Sequence, residues 1–584
     1  MLKVWNIGNT TVRNPTRIEG ALKVFYTSGF SGNAMGEDRE SRLHEELKEN
    51  DVLEFEGDPQ SINGRKWRSA FYQLGLISDA GYKIGGQNVS VAELFSRTGN
   101  GSIRLPYEIT PAGFKLIRAT RLPEIEEIYL RQLACHELPT SLESNFGGGR
   151  MKPFILFLQV LSILRDGGHP GLTQLETALF LQKFQNHTST LAAEIVNRVL
   201  DFRLAMAGVS SPKKAREVRD QYFENLHRDV NVKRDTVAAY ADTTFRYFSL
   251  SGLFTRVNDT ITIRSNKIDF TKALIASEPD FKYEKDPIRY FDLFYNNTYP
   301  LPSDVKSFAL REISEVKRRI QNPYGPLFED ISVVDESSTI EQITEARYKV
   351  FEYYSWRLES EFAESQSKQE SVHDILSYLR KLNGEKATPP RDVDDDKPAY
   401  LEWAVWRSFL SINDIIGQAH ECRRFQIDED FFPRNTAPGG GADMIFEFDN
   451  YVLAVEVTMT TSHRQMAVES EPVRRHTVQY KEKFPNKDVY CLFIAPEVDN
   501  NVMETFRIGV WYKDDAEEFV NVVPMSLSDF ITAFETSTVR RFRNTDFMTL
   551  LDRCLALRNA RAPFWKSSIT KEIVKWREAI VGRS

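Results

Sequence analysis

The chain has 584 residues, 41% hydrophobic and 27% charged, with a formal net charge of −8. That length is too great for one hydrophobic core, and that composition excludes disorder throughout. The acidity excludes indiscriminate coating of nucleic acid, although a protein that holds DNA in one cleft needs only a local basic surface.

Met1-Leu-Lys-Val-Trp-Asn carries no apolar run behind a basic start, and no later stretch approaches the length of a bilayer span, so a cytoplasmic location and no membrane partner are expected. Cys135, Cys422, Cys491 and Cys554 lie far apart with no C-x-x-C pair, which predicts reduced, mostly buried thiols and no zinc site or disulfide framework.

In chain order, the first predicted unit is a helix from Trp67 to Leu74 that stops at Gly75, followed after a long insertion by a wing closing at Tyr107-Glu-Ile-Thr-Pro-Ala-Gly-Phe-Lys-Leu-Ile117. A soft break at Ser144-Asn-Phe-Gly-Gly-Gly-Arg150 precedes a compact apolar helix, Phe154 to Leu164. The pattern then repeats. Val237, Tyr240, Ala241, Phe245 and Phe248 line one helical face before Ser251-Gly252, and Leu253 to Val257 leads through Asn258-Asp259 into Thr260-Ile-Thr-Ile-Arg264. A helix followed by a β-wing offers its helix to the major groove and basic residues to phosphates, giving roles to Arg65, Lys66, Arg68, Lys233, Arg234, Arg246, Arg256 and Arg264. The plainer alternative is a helix-hairpin used only for packing or protein contacts. Further basic clusters stand at Lys213 to Arg216, Lys317 to Arg319, Arg474-Arg475 and Arg540 to Arg543, and any one of them alone is more often a solvated face.

From about residue 304 to 386 apolar positions recur at helical spacing among Glu, Lys, Arg and Gln, which reads as a helical connector. Ala387-Thr-Pro-Pro-Arg-Asp-Val-Asp-Asp-Asp-Lys-Pro398 forbids a continuous helix and is expected to be a domain junction. The next element is a helix, Tyr400 to Leu410, bearing Glu402.

The chemically informative stretch runs from Gly439 to Thr458. Asp449-Asn450 is a turn signal between two β-rich runs, so Asp443 and Glu456 are expected on neighbouring strands of a hairpin. Tyr451 to Thr458 is almost wholly apolar, and a glutamate buried there must be paired or hold a cation. A second carboxylate across the hairpin favours the cation. A hard cation with oxygen ligands is what phosphodiester hydrolysis requires, although a bare D-x(12)-E pair also arises by chance. Glu469 and His476 lie two helical turns apart near Arg475, but Pro472 stands between them, so the helix is expected to start there. The glycine runs at Gly147 to Gly149 and Gly439 to Gly441 lack the Lys-Ser/Thr of a P-loop, and His463 reads as a solvent-facing polar residue.

Gly441-Ala-Asp443, Val455-Glu456-Val-Thr458, Val468-Glu469-Ser-Glu471-Pro-Val-Arg-Arg-His476 and Tyr490-Cys-Leu-Phe-Ile-Ala-Pro-Glu497 together closely resemble the AlwI-type group of type IIS restriction endonucleases. The resemblance extends to Leu401-Glu402-Trp403 and, more loosely, to Tyr240 to Ile263 and Arg13-Asn-Pro-Thr-Arg-Ile18, which adds Arg13 and Arg17 to the expected DNA contacts.

It implies a multidomain α/β (α+β) bacterial protein. Two winged-helix-like recognition subdomains (1–145 and 146–268), a helical linker (269–389) and a PD-(D/E)XK cleavage domain (390–584) would cut double-stranded DNA just outside an asymmetric site. By matching motif, Asp443, Glu456 and Glu402 would bind Mg2+, with Glu469 and His476 as further catalytic members. Two departures stand out: Ala442 replaces the usual proline, and Thr458 stands where a lysine commonly orients the attacking water. The water-activating group is therefore open among His476, Glu469 and a nearby Lys or Arg. A second copy pairing transiently through the cleavage domain would complete a double-strand break. The alternatives are the large subunit of a nicking enzyme that awaits a small nuclease partner, and a DNA-binding regulator with an inactive nuclease-like domain.

Overall fold

The computed structural model describes residues 3–50, 52, 62–79, 106–140, 146, 149–257, 259–278, 286–320, 333–393, 396–412, 414–461, 463–513 and 516–582. The expected insertion at 80–105, Gly147, Gly148 and Asn258 lie outside these residues, as does the side chain of His463. Helices and sheets are mixed in an α+β arrangement. Among the described residues no helix is long and apolar enough to cross a membrane. All four cysteines are free and buried.

The chain forms two compact units, Met1–Tyr353 and Tyr354–Ser584, and the division falls inside the helix Ile340–Ser365. The first unit holds one continuous cluster of buried apolar residues from Trp5 to Leu301. Its second half contains the expected helix and hairpin: Arg234–Ser249 leads into Phe254–Val257 and Thr260–Ile263, which pair antiparallel, with Leu172–Thr173 on the far edge. Phe154, Phe157, Phe248 and Phe254 pack edge-to-face beneath that sheet. In its first half, Ile62–Gln73 ends at Gly75, whose φ of +67° and whose close approach to Phe294 leave no room for a side chain. Ile77–Asp79 then pairs with Pro106–Ile109. The expected wing closure through Ile117 is corrected here, because the strand stops at Ile109 and Pro111–Arg118 is helical. Thr110 caps that helix by accepting the N–H of Gly113 at 3.1 Å, and Pro111 occupies the first turn, where its missing N–H costs nothing.

The second unit is built on a four-stranded sheet in the order Val522–Ser526, Asp488–Ala495, Tyr451–Val457, Met444–Glu447. The first two pairings are parallel and the last is antiparallel. The two central strands are buried almost throughout, as strands covered on both faces must be. The helix His463–Lys483 makes the crossover between them.

The helices Gln369–Leu382 and Lys397–Leu410 pack together, and Arg407 of the second bonds Gln366 at 2.7 Å and Asp374 at 2.8 Å. The proline-rich stretch between them does interrupt the helices, yet it belongs to the same core. Val393 is fully buried, and the Arg391 guanidinium lies 3.5 Å from the centre of the Phe432 ring. Composition there reports a break in helix and not a boundary between compact units.

Candidate active site

Met444 pairs with Val455 and Ile445 with Ala454, and one further step of that antiparallel register sets Asp443 opposite Glu456. Asp443 is half-buried, and its Oδ2 accepts the N–H of Val457 at 2.8 Å. Glu456 is 8% exposed. Glu402 enters from the helix Lys397–Leu410, which Asp396 caps by accepting the N–H of Ala399 at 3.4 Å. Glu402 is buried, and its Oε2 accepts the N–H of Ala437 at 2.7 Å, in the loop that leads to Gly439.

Glu469 and His476 both lie on His463–Lys483, so the expected helix start at Pro472 is corrected: the helix runs through that proline. A proline inside a helix forfeits one hydrogen bond. The early turns are held by other means, since the buried Gln465 donates to the carbonyls of Thr460 and Glu497 at 2.8 and 3.0 Å and accepts from the N–H of Asp499 at 2.8 Å. His476 is buried, with Nδ1 2.7 Å from Oε1 of Glu456, while its Nε2 is buried with no hydrogen-bond partner among the described residues.

These groups feel one another. Burial, and then the negative charge of Glu456, push the Asp443 carboxyl well above the usual carboxylate range. Burial and then Asp443 do the same to Glu402. Glu456 is raised to about 8 by burial and then by Glu469, against the opposing charges of Arg424 and Arg475. Burial, followed by Arg475 and Arg424, lowers His476 to about 4, so its ring is neutral at ordinary pH.

Among the described residues no three His, Cys, Asp or Glu side chains stand together as a ready-made metal cage. The donor set still suits a hard divalent cation: its carboxylates hold protons only because they are crowded and desolvated, and a cation would displace those protons.

Sequence reasoning missed Arg424 and Tyr480. Arg424 donates its backbone N–H to the Asp443 carbonyl at 3.1 Å, Nη1 to the Ala442 carbonyl at 3.3 Å and Nη2 to the Gly439 carbonyl at 3.1 Å. Tyr480 is half-buried in the same place, its hydroxyl pushed up by burial and by Glu456 and Asp443. Arg424 follows the short 3-10 turn Ala419–Cys422 in a stretch without periodicity, so no pattern marks it.

The basic residues singled out in the first unit are differently disposed. Arg65 and Lys233 are exposed and Lys66 is half-buried. Arg68 is buried, bonding Glu40 Oε1 and the Tyr107 hydroxyl, each at 3.0 Å. Arg17 donates to the Val52 carbonyl at 3.0 Å, and Arg13 is exposed with its carbonyl accepting from Arg246 at 3.2 Å. Arg234 pairs with Asp220 and Arg246 with Asp242, each at 2.7 Å. Arg256 lies over Phe245 and Arg264 is half-buried.

The model of the family described as AlwI restriction endonuclease matches residues 73–533. No curated protein matches the chain. Among solved structures, the small subunit of the heterodimeric restriction endonuclease R.BspD6I is similar at 19% identity, over 35% of this chain and 98% of its own, with a TM-score of 0.27. The BpuJ1 endonuclease binding domain, solved with pyrene- and phenanthrene-modified DNA, is similar at 11% identity, over 44% of this chain and 85% of its own, with a TM-score of 0.28.

Proposed function

The chain belongs to the AlwI restriction endonuclease family, a family of DNA-cleaving restriction enzymes, and from that premise we propose that it is a Mg2+-dependent type IIS endonuclease of the PD-(D/E)XK kind. The second unit would hydrolyse a phosphodiester a short distance outside an asymmetric sequence. That sequence would be read by winged-helix-like subdomains in the first unit. The observation that carries the chemistry is the register that opposes Asp443 to Glu456 beside Glu402, each holding its proton against burial and like charge.

Glu402, Asp443 and Glu456 would hold the cation, which when bound polarises the phosphate and makes water a better nucleophile. The N–H groups of Ala437 and Val457 fix one oxygen each of Glu402 and Asp443, so these carboxylates are oriented before substrate arrives. With Glu456 ionised, Nδ1–H of His476 would donate to Oε1, leaving the buried Nε2 as the nitrogen that would accept a proton from a water in the site. Glu469, half-buried on the same helix, adds negative charge that His476 feels. Incubating the protein with a mixed plasmid library and Mg2+, then sequencing the ends, tests the reading. Ends at a constant offset from one shared sequence support it, and uncut plasmids overturn it.

One such set of carboxylates is seen among the described residues, which favours one strand cut per engagement. Supercoiled plasmid should therefore accumulate as open circle before it becomes linear. Linear product rising more than proportionally with protein marks pairing of copies, whereas a permanent stop at open circle marks the large subunit of a nicking enzyme.

A further inference from the structure

We propose that Arg424 is the cationic seat of the phosphate being cleaved, held ready by the loop that precedes Asp443. This rests on the reading of the second unit as the nuclease.

Hydrolysis of a phosphodiester builds negative charge on the non-bridging oxygens, and a preoriented guanidinium meets that charge in a planar, two-pronged geometry that a lysine cannot offer. Two arginines bear on these carboxylates, Arg424 and Arg475. Arg475 is half spent, with Nε on Glu471 at 3.0 Å. Arg424 is bonded only through main-chain carbonyls, those of Ala442 and Gly439, and to no carboxylate among the described residues. Its charge is thus carried to the site without a contact partner to neutralise it. The two carbonyl bonds use two of its five N–H groups, and the side chain is half-buried, which leaves donors for a ligand.

The loop explains its own glycine. A Cβ on Gly441 would come within 2.6 Å of Arg424 Nη1, 3.1 Å of its Cζ and 3.3 Å of the Tyr480 hydroxyl. The backbone there has no positive φ, so alanine is conformationally allowed, and what must give way is the end of a flexible side chain. Gly441→Ala therefore displaces the guanidinium without deleting it.

The test uses the full chain and a duplex that contains its mapped cleavage position. Single-turnover cleavage with Mg2+ should fall about 100-fold in Arg424→Ala, less in Arg424→Lys and measurably in Gly441→Ala, while binding of the duplex in Ca2+ survives in all three. The decisive readout is a duplex whose cleaved phosphate is a neutral methylphosphonate. Wild type should bind it more weakly than the natural duplex in Ca2+, and Arg424→Ala should not distinguish the two, because its partner charge has gone. Additive losses would mean that Arg424 only braces the loop, and wild-type cleavage by Arg424→Ala and Gly441→Ala would also overturn the proposal. If wild type cuts no DNA at all, the nuclease reading itself fails, which is a separate outcome.

Discussion

Nδ1 of His476 lies 2.7 Å from Oε1 of Glu456, joining the helix His463–Lys483 to the strand Tyr451–Val457 through one hydrogen bond between two buried side chains. The bond orients the Glu456 carboxylate and fixes which ring nitrogen is left over. Partners that orient a metal-binding carboxylate in this way are worth about 10- to 100-fold in metal affinity or activity. His476→Ala should slow plasmid nicking by that factor and raise the Mg2+ concentration needed for half-maximal rate. Unchanged nicking would reduce His476 to a packing role.

Asp443→Ala and Glu456→Ala should abolish cleavage and leave sequence-specific binding nearly intact, because binding is assigned to the other unit. A gel shift run beside a plasmid digest reads both. Glu402→Gln keeps an acceptor for the Ala437 N–H but loses its charge, and should reduce cleavage without abolishing folding. Replacing Mg2+ by Ca2+ should allow binding without turnover, since the larger ion tolerates looser coordination and activates water poorly.

The carboxylates also set a pH dependence of stability. Glu456 is raised from 4.5 to about 8, so between those values the folded chain keeps a proton that the unfolded chain has released. Stability due to this group is complete at low pH and falls as pH rises towards 8. His476 acts oppositely but only below its ordinary 6.5, so the window from 6.5 to 8 belongs to the carboxylates. Metal-free protein should therefore melt at a lower temperature near pH 8 than near pH 6.5. Ca2+ should restore the loss, with the largest gain near pH 8. Glu456→Gln should flatten the pH dependence, and a melting temperature that instead rises over that window would contradict the arrangement.

The fragment 354–584 should fold, whereas 390–584 should not. Starting at 390 removes Val372, Ile375, Leu376 and Leu379 from the core and strips Arg407 of Gln366 and Asp374. It also removes Glu359, whose two oxygens each bond Arg423 at 2.7 Å. The loss of that helix also uncovers Arg407, which is 5% exposed in the intact unit, together with the apolar face on which the helix packs. Circular dichroism and cooperative melting of the two fragments separate the outcomes.

The hairpin was legible because Asp449-Asn450 breaks two β-rich runs and the second run is too apolar to sit anywhere but inside a sheet. Glu402 was legible as a residue on a helix, although only the folded loop reveals that its carboxylate meets the Ala437 N–H. Local rules failed where tertiary contacts outweighed them. Pro472 reads as a helix start, but the bonds of Gln465 hold the turns before it. Pro389 and Pro390 read as a junction, but Val393 and Arg391 fasten that stretch to the core. Arg424 left no trace in the sequence because its place is set by carbonyl groups of a loop, and carbonyls are the same in every residue.

The Asp488–Ala495 strand has parallel neighbours on both sides, one carrying Glu456 and the other ending at Ser526. A ribosome making this chain releases Glu456 well before Ser526, and at about 5–20 residues per second the sheet stays open for several seconds. During that interval the edge of Asp488–Ala495 that takes Val522–Ser526 has no partner. A nascent chain that ends before Ser526 thus has an unpaired edge on one of its most buried strands, and the sheet is complete only once that last strand has been made.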